Sequence, residues 1–353
     1  MAPRQAIRHR AGALWDRGAH WMEARRRLVL AVACAMVLVG PLLLGGYPLR
    51  VAITIMLYMV LALGLNIIPG FCGLLDLGFV GFYGIGAYTA GLLILKLGFS
   101  FWLVLPLAAL NGAIWGILLG APTLRLTGDY FAIVTFGFSE IVVLVITNWV
   151  SLTRGPMGLP GIAPPSLFGH TFNGETPYYY TIFGLVVLTV ILCRRLADSR
   201  LGRAFFAIRE DEVAAAHCGI PIIQTKVIAF AISASLGAVG GAFFAAWFTF
   251  ISPNMFKFWE SVFILCMIVL GGMGSIPGTM LGATILILLQ ETLRPFGVLR
   301  YVIFGVLLVL MMRFRPAGLL AVERVRGEMR PLEHERPSQA RRPKPGEDQE
   351  VPS

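Results

Sequence analysis

The chain has 353 residues, of which 57% are hydrophobic and 14% charged, and its mean hydropathy is +0.77. A soluble domain carries about a quarter of its residues as charged side chains, and a single core stops growing at roughly 250–300 residues. This much apolar surface must face lipid, which excludes a cytoplasmic enzyme, a disordered protein and a fibre. The net charge of +10 is clustered: of 29 Lys and Arg, seven lie in residues 1–27, six in 194–226 and nine in 313–353. Basic residues confined to inter-helix stretches follow the positive-inside pattern, so all three stretches are expected in the cytoplasm, and a nucleic-acid surface is not.

In chain order, residues 1–27 form an Arg-rich cytoplasmic segment, either a short amphipathic helix on the inner membrane face or a loosely ordered leader. A membrane span needs about 20 apolar residues. Candidate spans are 28–46, 51–69, 78–96, 102–121, 129–150 and 179–193. After the charged stretch come 227–250, 259–272, 277–291 and 299–312. The first lacks a small-residue cleavage site and reads as a retained span. Six spans precede the basic loop 194–226 and four follow it, so even numbers of crossings put all three basic stretches on one side. The expected fold is an all-α polytopic membrane protein of about ten helices with both termini cytoplasmic. Its membrane domain covers 28–313, its outer loop 151–178, and the polar, Pro-rich tail 314–353 reads as disordered.

Some helices are expected to be broken. Residues 70–77 follow a break at Pro69-Gly70, and the Gly-rich stretch 271–278 interrupts another apolar run. Non-helical backbone at membrane depth survives where protein or a water-filled cavity shields it, and such breaks commonly line a solute path. A tight cytosolic turn between ordinary spans is the alternative at both places.

Chemistry-bearing motifs are scarce. No Gly-Lys dipeptide occurs, so there is no Walker A phosphate cradle, and neither a His-Glu-x-x-His nor a Gly-x-Ser-x-Gly sequence is present. The histidines are scattered, and Cys34, Cys72, Cys193, Cys218 and Cys266 show no metal spacing and read as small core hydrophobes. No metal, cofactor or catalytic residue is therefore expected in this chain. Acidic groups inside spans cost about 2.5–3.5 kcal/mol on insertion scales and tend to mark pathways. Glu140 lies mid-span, and helical periodicity puts Asp129 and Thr147 on its face. Asp76 and Asn66 complete the candidate translocation path. Alternatively Asp129 caps a helix start and Glu140 bonds a neighbouring helix.

The loop from Asp198 is patterned, with a helical piece at Arg203–Ile208. A second piece, Glu212–Cys218, is capped by Asp211 and closed by Gly219 ahead of Pro221. Ala214, Ala215 and Ala216 give it a small-residue face that lets another surface approach closely. A helix held rigidly between two spans would pass a partner's push into the bundle; the alternative is a connector lying on lipid headgroups.

Here the residues resemble a known family. Ala214-Ala215-x-x-x-Gly219 is similar to the cytoplasmic-loop motif of ATP-binding-cassette importer permeases, although Val213 stands where that motif often has Glu. Residues 63–93, 126–145, 199–220, 269–283 and 314–319 together look like the LivM-type permeases of branched-chain amino acid importers. The resemblance covers about residues 50–320. It implies a fold like the vitamin B12-type importer permease and a multi-pass position in the bacterial inner membrane. The implied partners are a second homologous permease, two cytosolic ATPase subunits that bind the ATP, and a periplasmic binding protein delivering Leu, Ile or Val. It also implies that Arg203, Arg209, Glu210, Asp211, Glu212, Ala214, Ala215 and Gly219 belong to the ATPase-coupling loop. The alternative substrates are urea or short amides, and the alternative class is an ion-coupled secondary transporter using Glu140 and Asp76.

Overall fold

The structure, a computed structural model, describes residues 45–123, 129–167, 170–172, 174–297 and 318–320, with positions 305 and 313. The expected segment 1–27, the span at 299–312 and nearly all of the span at 28–46 and of the tail 314–353 lie outside these residues. Among the described residues seven helices are long and apolar enough to cross a membrane, and an eighth apolar helix is shorter. They form a polytopic all-α membrane protein.

Helix α1 (Gly46–Asn66) continues into a π-helical turn, Ile67–Cys72. Next come α2 (Phe79–Leu97), α3 (Phe101–Thr123), α4 (Asp129–Asn148) and α5 (Thr176–Asp198). Two short helices follow, α6 (Arg200–Glu210) and α7 (Glu212–His217). Three more apolar helices complete the bundle: α8 (Ile222–Phe248), α9 (Phe258–Gly271) and α10 (Ile276–Thr292). Between α4 and α5 the connecting loop makes a one-turn helix at Val150–Thr153 and two-residue strands. One strand, β1 (Leu159–Pro160), pairs antiparallel with Phe250–Ile251 beyond α8, which ties this loop to the end of the central helix.

Helix α8 is the hub, packed against α1, α2 and α3. Lipid offers no hydrophobic drive between helices, so close contact depends on small residues that admit van der Waals packing. A Cβ at Gly86 of α2 would overlap the Ala238 carbonyl, and one at Gly241 would overlap the Tyr83 carbonyl. Gly112 of α3 meets Ala234 and Ala238 in the same way. Polar ties reinforce the packing: Ser233 Oγ donates to the Gly64 carbonyl at 2.8 Å, and Tyr58 Oη donates to Glu260 at 2.8 Å. Apolar side chains remain exposed around the outside, including Leu103, Leu110, Ile114, Ile141, Leu144 and Leu188, as lipid contact requires.

The first helix break differs from the sequence expectation. The helical run does not stop at Pro69-Gly70; it passes through both residues and ends at Gly73, which adopts φ +73. A proline inside an α-helix clashes with the carbonyl four residues earlier and removes a donor. The wider π turn accommodates the ring, with the Gly73 amide reaching back to the Ile68 carbonyl. The second break falls where expected, α9 ending at Gly271 and α10 starting at Ile276. Ser275 caps α10, its Oγ accepting from the Gly278 amide at 3.1 Å.

Candidate functional site

The segment between α5 and α8 is built from capping chemistry. Ser199 Oγ accepts the Gly202 amide at 3.1 Å and starts α6. Asp211 stops α6 and starts α7, its Oδ1 accepting the Val213 and Ala214 amides at 2.8 and 2.9 Å. At the far end the Ile220 amide reaches the Ala215 carbonyl and the Gly219 amide the Ala216 carbonyl, with Gly219 at φ +81. This is a Schellman closure, and the left-handed position suits glycine. Both helices thus have fixed ends in sequence.

Packing then fixes them in space. Helix α6 buries Gly202, Phe205 and Ile208 and leaves Arg200, Leu201, Arg203 and Glu210 exposed. Phe205 joins an apolar cluster with Leu63, Ile67, Phe71 and Cys72 of α1 and its π turn, Cys193 of α5 and Ala229 and Leu236 of α8. Phe206 lies against Phe71 with ring centroids 5.1 Å apart. Helix α7 is tied to α8 by an ion pair, Lys226 Nζ to Glu212 Oε2 at 2.7 Å. Lys226 is 1% exposed while the Glu212 side chain is 43% exposed. The α6–α7 segment is therefore anchored to several spans at once.

The residues expected to belong to a coupling loop divide between two faces. Arg203, Glu210, Asp211, Ala214 and Gly219 are exposed, as are Val213 and Ala216. Ala215 is buried at 4% exposure and turns toward the chain's own bundle, so the small outer face of α7 is carried by Ala214 and Ala216. Glu212 and Arg209 point inward as well, Glu212 to Lys226 and Arg209 to the Gly70 carbonyl, with Nη1 at 2.6 Å.

The candidate path residues are not gathered in one place. Asn66 is 1% exposed, and its Oδ1 accepts the Gly274 amide at 2.9 Å, joining the two helix breaks. Asp76 is fully buried in the link between the π turn and α2. Its Oδ1 accepts the Gly78 amide at 2.8 Å, and the Thr135 side chain of α4 lies against its carboxylate. The neighbouring Leu77 amide donates to Thr135 of α4 at 3.2 Å. Glu140 lies on the exposed side of α4, alongside Ile133, Ile141 and Leu144. Thr147 is half-buried on the same face and bonds its own helix at the Val143 carbonyl. The Asp129 side chain lies outside the description.

Several contributors escaped the sequence reading. Lys226 ends the expected basic loop, just ahead of the apolar run at 227–250, and it is buried because α8 starts a turn earlier, at Ile222. Phe205 and Ile208, three apart in a charged stretch, are the amphipathic signal that marks the buried face of α6. Glu260, which holds Tyr58, gave no sign of a partner on α1, 202 residues away.

These features define the class: a multi-pass helical membrane protein with a rigid, capped two-helix segment mounted on its spans. The chain belongs to the family described as the permease component of branched-chain amino acid transport systems, whose profile matches residues 47–312. The high-affinity branched-chain amino acid transport system permease protein LivM of Salmonella typhimurium is 41% identical over 323 residues, covering 85% of this chain and 76% of that protein. LivM of Escherichia coli K12 is 40% identical over the same shares. The permease protein LivH of Escherichia coli K12 is 28% identical, covering 74% of this chain and 91% of its own length. No solved structure gives a significant match. Family and apolar helices together make the chain a multi-pass protein of the bacterial inner membrane.

Proposed function

We propose that this chain is one of two translocating subunits in an ATP-driven importer of Leu, Ile or Val. The observation that carries the reading is the family match across the whole described bundle, from residue 47 to 312. The chain contributes no ATPase site: energy enters from two separate cytosolic ATPase subunits docking on the α6–α7 segment, and a periplasmic binding protein delivers the amino acid. The termini are cytoplasmic in this reading, and the complete fold has about ten helices in the manner of the vitamin B12-type permeases. LivM and LivH relatives among the matches support a second, homologous permease as the partner.

The mechanism follows from where charge and rigidity lie. A carboxylate on an outward apolar helix face costs about 2.5–3.5 kcal/mol at mid-membrane. The position of Glu140 therefore supports a second protein surface over α4 rather than lipid. The amino acid passes along that junction, with selectivity set largely by the binding protein. Closure of the ATPase pair pushes α6 and α7, and their anchoring to α1, α5 and α8 transmits the push as alternating access. The test is uptake into proteoliposomes holding both permeases, the ATPases and the binding protein. Labelled leucine should enter only with ATP and binding protein present, and urea should not. Leucine entry driven by a proton gradient without ATP would refute the reading.

A further inference from the structure

Three of the five segments on which the family resemblance rested meet at one point in space. The first is the π turn, where Arg209 Nη1 donates to the Gly70 carbonyl at 2.6 Å. The second is the α9–α10 break, where Gly274, at φ +85, sits against the same carbonyl and against the guanidinium: a Cβ there would lie 2.9 Å from Gly70 O and 3.1 Å from Arg209 Nη1. Asn66 Oδ1 accepts the Gly274 amide and closes the ring of contacts. The aliphatic stem of Arg209 covers Gly73, the residue that ends the π turn of α1. Beyond the last expected span, the Leu319 and Leu320 amides donate to the Leu270 and Gly271 carbonyls at 3.0 and 3.1 Å and fasten that segment to the end of α9.

A basic residue on a docking loop is expected to face a partner. Arg209 does the reverse and reaches inward across the mouths of both broken helices. Its bond is charge-assisted and goes to a backbone carbonyl of the π turn. Both breaks are places where backbone can move without unwinding a whole span.

We propose that Arg209 is a positioning residue that latches α6 to both helix breaks, so that displacement of the coupling segment moves the ends of α1 and α9 together. The latch rests on the reading of α6–α7 as the ATPase docking element. It predicts that breaking the contact separates hydrolysis from movement of cargo.

The experiment uses the complete importer in proteoliposomes and reads leucine moved per ATP hydrolysed, alongside co-purification of the ATPases. Arg209→Gln should lower the ratio by about tenfold or more, a loss in the range of ordinary inter-site coupling, with the ATPases still attached. Arg209→Lys, which keeps a cationic donor, should recover most of it. Gly274→Ala should lower the ratio in the same way from the opposite side of the ring, and it decides the matter if the Arg209 variant fails to reach the membrane. An unchanged ratio in Arg209→Gln or in Gly274→Ala overturns the latch, and so does loss of the ATPases from Arg209→Gln, which would make Arg209 a docking residue. If the wild-type importer itself moves leucine without ATP, the broader functional reading fails instead.

Discussion

The ion pair between Glu212 and Lys226 gives an asymmetric test of how α7 is held. Lys226 Nζ is enclosed at 1% exposure, and its carboxylate partner lies 2.7 Å away on a side chain that is 43% exposed. Removing one partner of a fully buried pair costs about 3–5 kcal/mol, whereas a surface pair contributes about 0–1 kcal/mol. Water reaches the glutamate but not the ammonium, so Glu212→Gln should cost an intermediate amount, about 2 kcal/mol. The opposite change, Lys226→Met, leaves a carboxylate that water can solvate and fills the cavity with apolar atoms, so it should cost well under half as much. The assay is hydrogen–deuterium exchange of the α7 amides in nanodiscs. A loss of about 2 kcal/mol in local stability accelerates their exchange about 30-fold. Lys226→Met should change it by less than about fivefold, and the double variant should resemble Lys226→Met alone. Equal acceleration in the two single variants would refute the argument from unequal burial.

Asp76 offers a second test, because its Oδ1 accepts the Gly78 amide in the turn just ahead of α2 and its carboxylate meets Thr135 of α4. Asp76→Asn keeps the acceptor and should leave thermal stability in detergent unchanged or raised, whereas Asp76→Ala should lose about 1–2 kcal/mol; equal melting of both variants would contradict the turn-forming role. On α7, Ala214→Leu and Ala215→Leu should separate docking from folding. Leu at exposed Ala214 should reduce ATPase co-purification with little effect on stability, while Leu at buried Ala215 should destabilise the protein by about 1–3 kcal/mol through overpacking.

What the sequence made legible was local. Apolar runs located the spans at 78–96, 102–121 and 277–291 within a few residues of α2, α3 and α10, because lipid makes length and hydropathy sufficient signals. Asp211 and Gly219 marked the limits of α7, since capping is chemistry between near neighbours. Tertiary placement was not legible in the same way. Pro69-Gly70 read as a break, but a wider turn carried the helix on to Gly73. Asn66 read as a path residue, and its partner, the Gly274 amide, lies 208 positions away where no periodicity points. Helical spacing puts Glu140 and Thr147 on one face of α4, yet spacing alone does not distinguish a face turned toward the bundle from one turned away.

The most direct measurement of the central claim places a photo-crosslinking amino acid at positions in α7 of the assembled importer, with the ATPase subunits co-expressed and identified. Val213 is 67% exposed and Ala215 is 4% exposed, so the two positions lie on opposite sides of the same short helix. The account predicts an ATPase adduct from position 213, its yield changing with ATP, and only intramolecular products from position 215. Absence of any ATPase adduct from position 213, in importer that still moves leucine on ATP, would contradict it.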